Sequence, residues 1–582
     1  MVGWRELAMN LNLQPGWDFF AAKRWLVAMM VVLCCAPMVR MLRVETTVQA
    51  AEVRTWYVRP DGGDRKQCNG LADAAYPGHG SGRACGFKHP YYLFTNDDYG
   101  NKAWVIAGGD TVIVRGGPYR MGFKGPGAKD GWGSCPGDAY GCFMPPLPSG
   151  TKDRPTRLLG ENHGSCSRKT QLFGGYAVWT ILDLSGTKNA DVECLELTDH
   201  GQCTRVGANV GGNGCSSSYP LSDYAGSGIT TNAETGNVLL KDLDIHGLTQ
   251  RGIIGPIGGE IIADHVRIAF NGAAGWDFDD GKQTKNGPGA GVKATYLTVE
   301  WNGCNEEYPV THTVPAFSCY DQDHGGYGDG IGTPDTPLNF TCEHCLFRYN
   351  TQDGFDLLHT SGSQILVRDS EAYGNMGQQW KMGAMKSVLF QNNVTVNNCR
   401  RMSAAIEGAP TGYNRNLSLF CRAGGGGIIF AVSDGGTYTF QNNSFAGYGD
   451  TSYVINCEGS CGHENILFEN NLNVGYKDPA TGKIAAVVYT EIPRTASIVS
   501  DHSIYYAMRS CPSGKGDKCV DPKIANLPVW SGEASLDRID FHLTSGSPAR
   551  GMGVPVNGLT SDKDGVARPS GMVDVGAYQY KP

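Results

Sequence analysis

Charge is scarce in this chain: Asp, Glu, Lys and Arg make up only 18% of its 582 residues, and the net charge is −8. With no cationic excess there is no long-range attraction for nucleic acid, and an acidic substrate would need a locally basic cleft. Long apolar runs are also missing. The longest, Trp25 to Val39, is fifteen residues, whereas a membrane-spanning helix takes about twenty. No collagen-like period organises the glycines, and aromatics at 10% are too plentiful for a disordered chain. What is abundant is Gly itself, at 81 residues, about twice the usual share. Such a composition calls for many turns and short strands.

Lys23 and Arg24 precede the apolar run, and Val48-Gln49-Ala50 follows it with small residues at the positions expected for cleavage. Residues 1–50 therefore read as an export signal, with an uncleaved membrane anchor as the competing reading. The mature chain, 53–582, is expected to be secreted (extracellular or periplasmic), soluble, monomeric and free of membrane or nucleic-acid partners. Removing Cys34 and Cys35 leaves an even number of the 20 cysteines, as a disulfide-bonded exported protein requires. Cys68/Cys85, Cys135/Cys142, Cys304/Cys319, Cys457/Cys461 and Cys511/Cys519 lie close enough in sequence to staple loops. Cys342-Glu343-His344-Cys345 resembles half a zinc site, but no second half follows at the usual spacing.

Short β-like runs recur from Val238 onward: VLLKDLDIHG, then IIADHVRIAFNG from Ile261, ATYLTVEWNG from Ala294, ILVRDSEAYGN from Ile365 and VLFQNNVTVNN from Val388. Two more begin at Tyr438 and Ile466. Their spacing, mostly in the twenties or double that, means stacked supersecondary units. Alternating strands of four to six residues without helices predict an all-β solenoid, a single right-handed parallel β-helix, over a sandwich array. Loop-rich insertions are expected at about 116–230. Asn392-Asn393, Asn442-Asn443 and Asn470-Asn471 fall at equivalent places, where Asn suits left-handed backbone and hydrogen-bonded side-chain ladders.

An acidic-Gly dipeptide also recurs, at Asp280, Asp329, Asp353, Glu407 and Asp434, at gaps near one or two coils. Rungs about 4.8 Å apart would stack these carboxylates into a column, which is unfavourable unless a cation or protons compensate. Lys381, in Trp380-Lys381-Met382-Gly383, falls in or beside it. Asp329, Asp353 and Asp356 offer oxygen ligands suited to Ca²⁺. Asp353 and Asp356 are three apart, so Gly354 must allow a bend for both to reach one ion. The bland alternative is that each dipeptide is only a turn.

GDGIG at Gly328, QDGFD at Gln352 and QWKMG at Gln379 resemble the catalytic coils of family-nine polysaccharide lyases, calcium-dependent pectate lyases of β-helix fold. The resemblance implies Asp329, Asp353 and Asp356 as calcium ligands and Lys381 as the base. Gln352 stands where the family has a further Asp; its carbonyl can still coordinate, with one charge fewer. An acidic, uronate-containing polysaccharide is the substrate implied. Arg400, Arg401 and Arg415 are candidates for its other carboxylates, and Trp276, Trp301 and Trp380 for stacking on sugars. Two other readings stand beside this one. The first is a β-helical glycoside hydrolase using Asp279, Asp280, Asp329 or Glu407 as acid and base, although Gly-His-Gly and Arg-x-Lys elements are missing at appropriate coils. The second is a non-catalytic carbohydrate-binding or surface β-helix.

Overall fold

Alternation of buried and outward residues along short strands, such as Val238, Leu240 in and Leu239, Lys241 out, gives each coil a core-facing edge. A computed structural model describes residues 52–582 except 97–101, 123–143, 176, 202, 204, 207–213, 217–221, 280–284, 305, 307, 309–318, 320–327, 333–336, 359, 361, 384–385, 407–420, 422–425 and 494. The export signal and the Cys135/Cys142 pair lie outside the described residues.

The coils stack into three parallel faces. The first is a 13-stranded sheet running from Thr55–Gly63 to Ser497–Asp501, and the second a 12-stranded sheet from Tyr119–Arg120 to Ile504–Tyr506. The third consists of two five-stranded runs joined by a parallel bridge between Ile331 and Phe355. A typical coil visits them in turn through Glu260–Asp264, Arg267–Ala269 and Trp276–Asp277. The chain is therefore a parallel β-helix, as its repeat predicts. The stretch 156–199 supplies five strands to these faces, with Thr156–Gly160 and Lys188–Glu193 in the first.

Each Asn of a pair has a different task. Asn392, Asn442 and Asn470 take left-handed φ of 54–57° at the corner between the first and second sheets. Their side chains donate to the C-terminal segment at the carbonyls of Ser561, Asp574 and Val554. The second Asn points inward. Asn393 Nδ2 donates to Asn443 Oδ1 (3.2 Å), and Asn443 Nδ2 to Asn471 Oδ1 (2.9 Å). These bonds satisfy polar groups that the core would otherwise leave unpaired. A second inner ladder, Asn271, Asn302, Asn350 and Asn375, ends on Gln379 Oε1 at 2.8 Å. It thereby fixes the start of the strand Trp380–Gly383.

Eight disulfides are formed among the described residues, including the 68/85, 304/319, 457/461 and 511/519 pairs. Cys342 and Cys345 bond to each other, which removes both thiolates from any zinc site. No helix of the described residues is long and apolar enough to cross a membrane.

Candidate metal and catalytic site on the third sheet

Register on the third sheet determines which side chains meet. Trp276, Ile331, Phe355, Trp380, Ile428 and Tyr453 stack along one inward column. The neighbouring outward column runs Asp277, Gly332, Asp356, Lys381, Ile429, Val454 and Tyr489. Asp356 and Lys381 are thus neighbours across adjacent strands because Phe355 and Trp380 are anchored in the core.

Asp353 lies before its strand, and the chain bends at Gly354. The bend lets Asp353 and Asp356 reach the same place although they are three residues apart. Glycine is required there for space: a Cβ would come within 2.6 Å of Asn375 Nδ2 and 2.7 Å of Gln379 O. Asp329 joins from the preceding coil, where its Oδ1 accepts the Asp353 backbone N–H at 2.9 Å. Carboxylate oxygens of Asp329, Asp353 and Asp356 all lie within 4.8 Å of one another. Lys381 Nζ donates to Asp356 Oδ2 at 2.7 Å and to Asp353 Oδ2 at 3.1 Å. Asp353 Oδ1 also accepts the Gln378 N–H at 2.7 Å.

The electrostatics are those of a crowded, water-poor anionic pocket. Burial, then the charge of Asp353, pushes the Asp356 carboxyl above its ordinary value against the pull of Lys381. Burial disfavours the Lys381 ammonium, but Asp353 and then Asp356 outweigh it and hold its pKa above the usual lysine value. Three carboxylates against one ammonium leave an excess of negative charge that a divalent cation would neutralise, and the donors are the hard oxygens such ions take. The residues present therefore fit Ca²⁺. Gln352 is buried next to Asp353.

Several expected site residues have other work. Trp380 is fully buried, with its ring against Phe347, Phe355 and Phe390, so it offers no face to a sugar. Trp276 is equally buried, and Trp301 stacks between Phe270 and Tyr349 at a corner. Arg400 is 1% exposed and paired with buried Asp478 at 3.1 Å, which corrects its assignment to substrate. Arg401 is held by Asp537 at 2.6 Å and lies over the Tyr349 ring. Arg415 lies outside the described residues, as do Asp280 and Glu407. The five-member acidic ladder is not a single column either. Extending the Trp276/Ile331 register by two residues sets Ala274 opposite Asp329. Asp434-Gly435 is an exposed turn, with Asp434 bonded to His463 at 2.7 Å.

A cation that sequence reasoning missed is Arg251. Its Nε donates to Asp277 Oδ2 at 2.5 Å on the same face, two rungs before the cluster. The pair is 26 residues apart, a coil-length spacing that could have pointed to it.

No family model matches the sequence, and no curated protein matches it. Among solved structures, the chain is similar to pectate lyase Pel9A, with 12% identity and a TM-score of 0.41 over 91% of this chain and 96% of that one. A rhamnogalacturonan lyase matches at 12% identity and TM-score 0.35, over 84% and 97% of the two chains. The A-module of the mannuronan C-5 epimerase AlgE6 of Azotobacter vinelandii matches at 12% identity and TM-score 0.28, over 66% and 91%.

Proposed function

We propose that this chain is a secreted polysaccharide lyase that cleaves a uronate-containing polymer by β-elimination, with Lys381 as base and Asp329, Asp353 and Asp356 as ligands of Ca²⁺. The single observation that carries the reading is the contact of the Lys381 amine with two of three clustered carboxylates on the outer face of the coil stack. The sequence resemblance of GDGIG, QDGFD and QWKMG to lyase coils supports the same assignment.

Bound Ca²⁺ would supply the positive charge that neutralises a uronate carboxylate and, beside Lys381, favours the neutral amine. The chain's own residues do the rest. Asp329, Asp353 and Asp356 fix the uronate end of the site. Lys381 Nζ accepts the proton α to the carboxylate; the C–H electrons form the ring double bond while the 4-linked sugar leaves with its oxygen and takes a proton from solvent. The inward anchors Phe355 and Trp380 hold acid and amine rungs in fixed register, which limits reorganisation during proton transfer.

The eight disulfides fit an oxidising compartment, and cleavage near Ala50 would release a monomeric mature chain. Ultraviolet absorbance of the unsaturated uronate product, followed on a panel of acidic polysaccharides with calcium and with chelator, tests the reading. A calcium-dependent rise on at least one uronan is expected; saturated products or no cleavage of any of them would overturn it.

A further inference from the structure

Beyond Lys381 the outward column of the third sheet changes character. Its next members are Ile429, Val454 and Tyr489, one, two and three rungs away. They line a cleft of about 1180 Å³. Tyr489 is 53% exposed, so its ring is available to a ligand. At the rung spacing of parallel strands it lies about 14 Å along the stack from Lys381.

The cleft's charges are balanced and already engaged. Lys483 Nζ lies 3.6 Å from Asp450 Oδ1. Arg509 Nε donates to Ile484 O at 3.0 Å, and the Tyr489 hydroxyl donates to Glu491 Oε1 at 3.2 Å. With Asp450 and Glu491 opposing Lys483 and Arg509, a free carboxylate finds no net attraction here. An apolar floor, one exposed aromatic ring and a few polar atoms at the rim instead suit the C–H face and hydroxyls of a sugar ring.

We infer that this cleft is a saccharide-binding subsite for the part of the polymer beyond the reacting uronate, and that it takes a sugar unit whose carboxylate is absent or esterified, with Tyr489 as the stacking platform. The inference rests on the reading of the cluster as acting on a polysaccharide. Substrate would then be held in two chemically different places: an anionic unit at the cluster and an uncharged one at Tyr489. Specificity would follow from the polymer's pattern of charge.

Calorimetric titration of the full mature chain carrying Lys381→Ala, in calcium chloride, with partially methyl-esterified and with de-esterified uronate oligosaccharides tests this without turnover. Partially esterified oligosaccharides, which keep one free carboxylate for the cluster and offer an esterified unit to Tyr489, should bind more tightly than the de-esterified ones. Adding Tyr489→Ala should weaken the partially esterified ones by about three- to tenfold, the worth of one aromatic stacking contact, and barely affect the de-esterified ones; Tyr489→Phe should retain the affinity. Unchanged affinity in the Tyr489→Ala protein, equal loss for both oligosaccharides, or no binding of either would overturn the inference. Tyr489-dependent binding by a wild-type protein that cleaves nothing would sustain it while removing the lyase reading, so the two fail separately.

Discussion

Lys381 sits directly across from Asp356 on the adjacent parallel strand, its Nζ 2.7 Å from Oδ2, while the residues preceding them, Trp380 and Phe355, pack inward. The functional contact is thus a consequence of core packing one position away.

Replacing Lys381 by Ala should lower turnover by about 10²–10⁴, the usual contribution of a positioned base. Steady-state kinetics on the cleaved uronan checks this. Lys381→Arg should not restore neutral-pH activity, because a guanidinium is far harder to deprotonate. Wild-type activity in the Lys381→Ala protein would exclude Lys381 as base.

Calcium should stabilise the fold, by about 2.7 kcal/mol at a hundredfold excess over its dissociation constant. Thermal unfolding with and without chelator measures the effect. Asp353→Asn should abolish it, since this carboxylate is fully buried within the acid cluster and accepts a hydrogen bond from Lys381. An Asp353→Asn protein still stabilised as wild type would refute the ligand assignment.

Arg400→Ala should destabilise the fold by about 3–5 kcal/mol, because it strands buried Asp478 without its partner. Denaturant melts report this directly. A changed KM with unaltered stability would return Arg400 to the substrate.

Asn443→Ala should cost about 1–3 kcal/mol for each polar group left unpaired in the core. Its amide bridges Asn393, Phe390 O and Asn471. Equilibrium unfolding of the variant should show the loss; stability within a few tenths of wild type would mean the ladder is dispensable.

His246 gives the fold a pH signature. Burial opposes its charge, but the hydrogen bonds it donates to Glu196 (3.1 Å) and Glu306 (2.7 Å) win and push its pKa from 6.5 up to about 10. The folded state therefore holds a proton that the unfolded chain releases above its own pKa. This contribution to stability is full below about pH 6.5 and is lost as pH rises through about 10. Unfolding free energies across that window should fall with pH, and His246→Gln should flatten the slope. An identical slope in the variant would locate the effect elsewhere.

The coil architecture was legible because a solenoid writes each rung separately: Val, Ile and Phe return at coil length and alternate along each strand. The Asn pairs were legible for the same reason, since left-handed corners and inner ladders demand the same residue at every repeat. Asp329, Asp353 and Asp356 were readable from one-coil spacing and the Gly354 bend. Sequence spacing misled where loops of unequal length intervene. Asp434-Gly435 follows Asp353-Gly354 at a multiple of the coil length, yet it forms an exposed turn after the strand Ile428–Val432, whereas Asp353 precedes its own strand.

The amino-acid sequence alone determined the repeat, the disulfide-rich composition and the identity of the acid cluster, because these depend on local residue choice and regular spacing. Tertiary structure decided which way each side chain faces and what lies across from it. It turned Trp380 into core, tied Arg400 to Asp478 and brought Arg251 onto the face of the cluster. It also opened a neutral cleft beyond Lys381 from strands as distant as Ile428–Val432 and Ala486–Thr490. Facing and neighbourhood depend on strand register, and register is set by contacts between coils, which no single repeat contains.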